Sequence, residues 1–308
     1  MNISFVSSEK FLVGARVMLV SFLENNKFEK HNIYWLYTDV NQKAIDEFCG
    51  FFEKRYGQKV TPFRMTDEMM KGFYTDKTFG VAAFHKLFVF RHLDTPGGRI
   101  LSLDADAVVN GSLKDFYYQE MGENCIASSP DLYIRETDDD YITDTLGLPK
   151  DHTYINLGNT LFNLDKYLPA VSTEVCAEYV KNNPEKLRYV AQDVLNVMLK
   201  DRIKVCDVYK YNLQIFSEMN MKHSRFYLKN DDRGIKVRNA LKTDPVIVHY
   251  VRKAKPWDTN YIFGDRRFFK KYEIIAYGRG YVMKKELKRC WYFIEKLAKK
   301  GLKIIGKH

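Results

Sequence analysis

Strand-like and helix-like runs alternate through residues 3–63, and this alternation constrains the fold more than any other feature of the chain. Ile3–Ser7, Ile33–Tyr37 and Lys59–Phe63 have strand character, the second closed by Thr38-Asp39. Between them, Phe11–Leu23 carries Leu12, Ala15, Val20 and Leu23 in support of a helix, and Ala44–Tyr56 reads as a second helix. Parallel strands need crossover connections, and helices in those crossovers cover the faces of the sheet. The expected class is therefore α/β, with a Rossmann-like, mostly parallel central sheet flanked by helices. The loop after the first strand is Ser7-Ser8-Glu9-Lys10, without the Gly-x-Gly-x-x-Gly fingerprint of a dinucleotide site.

Behind the Pro96-Gly97-Gly98 turn, Ile100, Leu101 and Leu103 predict a buried strand that runs from Arg99 into Asp104-Ala105-Asp106. In an extended chain, side chains two apart share a face. Asp104 and Asp106 are thus expected to face one small volume at the strand's C-terminal edge, where open α/β sheets bind ligands. Two close carboxylates repel and raise each other's pKa, and a divalent cation removes the conflict. Hard oxygen ligands suit Mg²⁺ or Mn²⁺, which bridge to substrate phosphates. The expectation is a metal–diphosphate site.

Around this strand the pattern continues. Val81–His92 reads as a helix carrying Lys86, Leu113–Tyr118 as a helical turn, and Cys125–Ser128 as a strand ending at Ser129-Pro130-Asp131. Tyr133–Lys150 is polar, with Asp138-Asp139-Asp140, and reads as a loop or an irregular helical excursion. Tyr154–Leu164 is an apolar run interrupted by Asn156, Gly158 and Asn163, and glycine in such a run signals close approach of backbone or ligand. Asp165–Lys181 reads as a helix ending before Pro184, and Gln192-Asp193 opens another at Val194–Leu199. Beyond it the chain looks aromatic and irregular until Pro245–Val248, a strand leading into His249.

Charge is unevenly spread. The formal net charge is +10, yet Lys284–His308 alone holds nine Lys/Arg against two Glu. Leu287, Cys290, Trp291, Ile294, Leu297 and Ala298 fall on one helical face there, with Lys285, Lys288, Lys296, Lys299 and Lys300 largely elsewhere. This predicts a basic amphipathic tail, with Trp291 and Phe293 as interfacial anchors, lying on an anionic membrane surface. A helix packed on the core or on a second copy is the competing reading. The expected division is residues 1–265 as the catalytic unit and 266–308 as the tail. Five unpatterned cysteines suggest neither a disulfide framework nor a zinc site. With no signal-peptide core and no bilayer-length apolar run, the expected location is the cytoplasm, attached to the inner face of the membrane.

Four motifs occur in order: Leu103-Asp104-Ala105-Asp106 with Gly111-Ser112-Leu113, Tyr154-Ile155-Asn156-Leu157-Gly158 with Asn163-Leu164, Gln192-Asp193-Val194-Leu195-Asn196, and His249-Tyr250 with Lys255-Pro256-Trp257. Over roughly Met1–Trp257 the chain resembles glycosyltransferase family 8, retaining enzymes that include bacterial lipooligosaccharide galactosyltransferases and glycogenin. The resemblance implies a GT-A fold and a nucleotide-sugar donor, a UDP-hexose, bound with Mn²⁺. It implies Asp104, Asp106 and His249 as metal ligands, the imidazole tilting preference from Mg²⁺ toward Mn²⁺. It further implies Lys255 on the departing diphosphate, and Lys86, where the family carries arginine, on phosphate or sugar. Ser7 and Ser8 would lie in the donor-binding first loop, and Asp131, Asn156 and Gly158 against the donor sugar. Gln192 would sit beneath the anomeric carbon, and Asp193 would be part structural and part sugar-orienting.

Three positions depart from the family pattern: Ser8, where an aspartate reads uracil; Ala191, where the galactosyltransferases hold sugar hydroxyls with an aspartate; and Arg252, in place of a glycine. The implied acceptor is a lipopolysaccharide, lipooligosaccharide or capsule precursor. Taken alone, His249 reads as a hydrogen-bonded core histidine and Lys255 as a solvated lysine; the order of motifs decides otherwise. Two alternatives compete: a haloacid-dehalogenase-type phosphatase, disfavoured by the late position of Asp-x-Asp, and a non-catalytic protein binding nucleotide or an anionic surface. Nucleic acid is not an expected partner, because basic residues interleaved with aromatics occur only in the tail.

Overall fold

The computed structural model describes residues 1–73, 81–134, 140–216, 232–251, 254–262 and 264–305. Among them, β1 (Asn2–Val6), β2 (Asn32–Tyr37), β3 (Val60–Arg64), β4 (Arg99–Leu103), β5 (Ala107–Val109), β6 (Ile126–Pro130), β7 (Ile155–Asn163), β8 (Ile203–Val205), β9 (Leu213–Phe216) and β10 (Ile247–Val251) form two sheets. The larger has the order β3-β2-β1-β4-β7-β6-β8, and the smaller the order β5-β10-β9. From β3 to β4 every pair is parallel. β7 then enters antiparallel between β4 and β6, with Leu103 opposite Asn159.

The N-terminal half follows the expected alternation. α1 (Leu12–Asn25) is buried continuously from Ala15 to Leu23 apart from Arg16, being covered by the sheets on one side and a C-terminal helix on the other. α2 (Gln42–Tyr56) is capped by the Asn41 side chain, which accepts the Ala44 N–H at 2.9 Å, and it ends at Gly57 in the left-handed region, φ 59°. Phe5, Trp35, Phe48 and Phe52 fill the space between this half of the sheet and α2. Each such ring contributes about 2 kcal/mol of burial.

Several expectations are corrected. Val81–His92 is two 3₁₀ segments, Val81–Leu87 and Val89–His92, rather than one helix. The predicted helix 165–181 is split into α3 (Leu164–Ala170) and α4 (Thr173–Asn182). Pro169 stops propagation of the first, and Ser172 restarts the second by accepting the Val175 N–H. The stretch read as irregular after Leu199 contains β8, a helical turn at Val208–Tyr211, β9 and a helix at Asp232–Ala240. The polar stretch 133–150 includes a π-helical turn at Tyr141–Thr145; Asp138, Asp139 and, further on, Arg252 lie outside the described residues.

α5 (Ala191–Met198) lies between β7 and β8 in sequence, both strands of the large sheet, and α6 (Arg267–Tyr277) and α7 (Arg279–Ile305) are the last two helices of the described residues. Phe268, Phe269 and Tyr272 of α6 are buried in the main core, so packing does not stop at 265. No helix among the described residues is long and apolar enough to cross a membrane.

Candidate active site

Between Leu103 and Ala107 the chain leaves the large sheet and enters the small one. Asp104-Ala105-Asp106 is the corner, a tight turn in which the Ala107 N–H donates to the Asp104 carbonyl at 3.0 Å. The two carboxylates therefore converge because the chain folds back on itself, not because an extended strand alternates as expected. Two neighbours fix the corner. The Asp104 N–H donates to Gly158 O at 2.8 Å, which ties it to β7. The Tyr250 N–H donates to Asp106 O at 3.0 Å, which ties it to β10. β10 lies antiparallel to β5 with His249 opposite Ala107, and this register delivers the imidazole to the carboxylates.

Asp104, Asp106 and His249 offer one ligand atom each within 4.8 Å of one another. His249 Nε2 is 3.2 Å from Asp106 Oδ1 and 3.7 Å from Asp104 Oδ2. Its Nδ1 is 3.1 Å from Asn212 Oδ1, an acceptor that fixes the ring with Nε2 turned toward the carboxylates. Gly158 makes this possible: a Cβ there would lie 2.3 Å from His249 Cε1. Gly14 does the same for the corner's other side, where a Cβ would meet the Trp257 ring at 2.3 Å and the Ala105 carbonyl at 2.5 Å.

Two ammonium groups occupy the outer oxygens. Lys255 Nζ is 2.5 Å from Asp106 Oδ2 and 3.0 Å from the Tyr250 carbonyl. Lys86, buried rather than on the surface, reaches Asp104 Oδ1 at 3.4 Å and the Leu157 carbonyl. Burial opposes ionisation of Asp106, but Lys255 and His249 outweigh it and hold its carboxyl below the usual carboxylate range. Asp104 is pushed upward by burial and by the Asp106 charge, which Lys86 and His249 only partly offset. The inner oxygens and the imidazole nitrogen are a hard, oxygen-rich donor set that fits a divalent cation such as Mn²⁺ or Mg²⁺.

The corner opens on a cleft of about 470 Å³, lined among others by Ser7, Ser8, Lys86, Asn156, Gly158 and Gln192. That volume suits a small-molecule ligand. Behind Asn156 and Gln192 stands Asp131, which does not itself line the cleft. Asp131 accepts from Asn156 Nδ2 at 2.9 Å and Gln192 Nε2 at 3.1 Å, and from the Tyr133 and Ile134 N–H groups at 3.0 and 3.1 Å. Gln192 Oε1 accepts from the Leu157 N–H at 3.1 Å, and Asn156 Oδ1 from the Gly158 N–H at 2.9 Å. The Gln192 amide is thus held in one orientation at the cleft.

Asp193 departs from the expected sugar-orienting role. It is fully buried and absent from the cleft lining; it accepts the Tyr189 N–H at 2.6 Å and the Tyr154 hydroxyl. Burial pushes its carboxyl up to about 6 despite those donors. Its carboxylate pins the segment before α5, where Val190 has φ 45°. A β-branched residue there is strained by about 1–3 kcal/mol. Val190 and Tyr189 both line the cleft.

With this geometry in view, comparison with known proteins decides the family. The family model described as Glycosyl transferase family 8 matches residues 2–261. The chain belongs to glycosyltransferase family 8. It is 26% identical over 301 residues to a lipopolysaccharide 1,2-glucosyltransferase of Escherichia coli, covering 94% of this chain and 82% of that protein. It is 25% identical over 265 residues to a lipopolysaccharide 1,3-galactosyltransferase of Salmonella typhimurium, covering 83% and 72%. Among solved structures it superposes on the galactosyltransferase LgtC in complex with donor and acceptor sugar analogues, with TM-score 0.72, 19% identity, and 89% and 95% of the two chains covered. The fold is that of the GT-A glycosyltransferases, as expected. For a family 8 chain the phosphatase and non-catalytic alternatives lose their ground.

Other side chains of this family 8 site carried no signal in the sequence. Asn212, which orients His249, precedes a short run that looked structureless. His85 lines the cleft beside Lys86 with its Nδ1 at 2.9 Å from Ala82 O; burial and then Lys86 push its imidazole down to about 3, so it stays neutral. A lone histidine on an apolar stretch gives no warning of either property.

Proposed function

We propose that this family 8 glycosyltransferase is a retaining enzyme that moves one hexose from a UDP-sugar to a lipopolysaccharide or related cell-surface glycan precursor, with Mn²⁺ as its cation. The observation that carries the reading is the Asp104–Asp106–His249 cluster, whose two carboxylates line the 470 Å³ cleft. The lipopolysaccharide glycosyltransferases it resembles support the acceptor class.

In this reading Asp104, Asp106 and His249 hold the cation, which when bound would neutralise charge on the diphosphate of the donor. Lys255 and Lys86, now spent on the outer carboxylate oxygens, are within reach of the same volume and supply point charges to the phosphates. Ser7 and Ser8 contribute to the wall that receives the nucleoside. Asp131 and Asn156 fix Gln192 so that its amide lies under the sugar, and Gly158 keeps that floor low. The Leu157 N–H at 3.1 Å and the Asn156 amide at 3.3 Å both donate to Gln192 Oε1 and reduce its nucleophilicity, which favours front-side displacement over a covalent adduct on this residue. The acceptor hydroxyl's proton then passes to the leaving diphosphate oxygen.

The test is a nucleotide-sugar panel with Mn²⁺ or Mg²⁺, scored for donor hydrolysis and melting temperature. A donor at a hundred times its dissociation constant is expected to stabilise the fold by about 2.7 kcal/mol. Absence of both hydrolysis and stabilisation across the panel would sink the reading.

The exposed face of α7 supports peripheral attachment to an anionic membrane. Met283, Leu287, Trp291, Ile294 and Leu297 are 53–70% exposed along one stripe. Phe293 is half-buried and off that stripe, since two residues advance a helix by more than half a turn, so Trp291 alone serves as the aromatic anchor. The double variant Leu287→Ser/Trp291→Ser is expected to lose at least about tenfold in partitioning to phosphatidylglycerol vesicles, given roughly 1.5–3 kcal/mol per buried apolar side chain. Unchanged partitioning in sedimentation would overturn the attachment.

A further inference from the structure

The opposite face of α7 is not a bare support. Arg289 is 6% exposed and each nitrogen of its guanidinium makes a hydrogen bond. Nε donates to the Asp258 carbonyl at 3.0 Å, Nη2 to the Pro256 carbonyl at 2.6 Å, and Nη1 to Glu286 Oε1 at 2.6 Å. Arg266 meets it from the segment before α6: its Nε donates to the same Pro256 carbonyl at 2.7 Å, and its Nη groups bond Glu286 and Glu273. Glu273 is fully buried, and Lys285 of α7 is 3.4 Å from its Oε1.

The carbonyls held by these arginines belong to the short loop that carries Lys255. Within that loop the Lys255 N–H donates to Asp258 Oδ2 at 2.9 Å and the Asp258 N–H to the Lys255 carbonyl at 2.8 Å, a closed turn. One side of the turn packs Trp257 against Phe11 and Phe269. The other end of Lys255 is the ammonium on Asp106. A continuous chain of hydrogen bonds therefore runs from α7 through Arg289 to the turn and from the turn to the cation site.

We propose that Arg289 is a positioning residue for Lys255, so that α7 is part of the diphosphate-binding apparatus as well as a surface element. A lysine on a flexible stem spends entropy when it is held at one point, and a fixed turn lowers that cost for every ligand it meets. Two buried guanidinium bonds to carbonyls of one turn add to the turn's own bonds, and hydrogen bonds from charged donors belong to the stronger class. The proposal rests on the reading of Lys255 as a ligand of the donor's diphosphate.

The experiment is a double-mutant cycle on the full chain, read as the calorimetric affinity for UDP with Mn²⁺ at a temperature where every variant is folded. Arg289→Ala is expected to weaken binding about tenfold, the scale of one or two lost charge-assisted bonds. Lys255→Ala is expected to weaken it by at least as much. In the Lys255→Ala background, Arg289→Ala should then cost nothing further, because its effect passes through that side chain. Arg289→Lys, which keeps the charge but not the fork, is expected to fall between wild type and Arg289→Ala, and serves if the alanine variant does not fold. Lys284→Gln, at an exposed position of the same helix, should leave the affinity unchanged. Additive losses in the cycle, or an equal loss from Lys284→Gln, would mean that Arg289 acts by general support of the fold and would overturn the proposal. If Lys255→Ala leaves UDP affinity intact, the diphosphate assignment of Lys255 fails and this inference with it; if only Arg289→Ala does so, the inference alone fails.

Discussion

Replacing Asp106 by asparagine is expected to abolish Mn²⁺-supported turnover, with a loss of about 4 kcal/mol, roughly a thousandfold, in transition-state stabilisation. The substitution keeps the volume and one acceptor for Lys255, so the corner can still form. It removes the charge that Lys255 and His249 hold below the carboxylate range, and with it one of three ligands of the candidate cation site. A neutral amide is a weak ligand for a hard divalent ion. Alanine at the same position adds a second defect, because the Lys255 ammonium at 2.5 Å then faces a vacant, mostly buried volume. Breaking a buried pair from one side costs about 3–5 kcal/mol at full burial, and less here, where Lys255 keeps the Tyr250 carbonyl. The asparagine variant is therefore the cleaner probe, and melting curves with and without nucleotide separate loss of site from loss of fold. Turnover within tenfold of wild type would show that the cation, if one is needed, sits elsewhere.

Gly158→Ala is the second large effect expected. The added methyl would stand 2.3 Å from His249 Cε1, 2.7 Å from Nδ1 and 2.8 Å from Asn156 Oδ1. None of these neighbours is free to give way. His249 is in β10 and hydrogen-bonded to Asn212, and Asn156 is bonded to Asp131. The imidazole must turn away from the carboxylates, and a misplaced ligand typically lowers metal affinity by about 10–100-fold. Titration with Mn²⁺ followed by electron paramagnetic resonance reads this directly, without any donor or acceptor. Because β7 is the most continuously buried strand, some loss of melting temperature accompanies the change. A variant that binds Mn²⁺ as tightly as wild type would remove His249 from the ligand set.

How far the chain could be read in advance depended on the range of the interactions involved. The first two helices and three strands were legible because their signals are local apolar patterns; the Asn41 cap and the Gly57 stop that bound α2 went unread. The strand before Asp104 was legible for the same reason. Strands β8 and β9 were not, because each is short and gains its identity from partners far away in sequence, β6 and β10. The division of 165–181 at Pro169 and Ser172 was available from a proline and a capping serine, and a long apolar helix pattern concealed it. Asp104 and Asp106 were placed together for the wrong geometric reason, since a turn, not strand alternation, brings them face to face. His249 was recognised through the order of four motifs, while Asn212 behind it had no motif to announce it. Asp193 drew a role from its place beside Gln192, yet adjacent residues on a helix point about 100° apart, and one faces the cleft while the other braces Tyr189.

The pairing of β5 with β10 has a consequence for how such a chain can change. His249 reaches the carboxylates through cross-strand alignment with Ala107, and of the chain between the two strands Gly158 and Asn212 are what touch the ring. Insertions or deletions in the connecting loops that leave β7, β9 and Asn212 in place can therefore remodel what the cleft receives while keeping the cation ligands. A shift of alignment by a single step, with no change in composition, would instead turn the imidazole to the other face of the small sheet. Grafting foreign loops between these strands is thus a safer route to a new acceptor than altering β5 or β10 by even one residue in length.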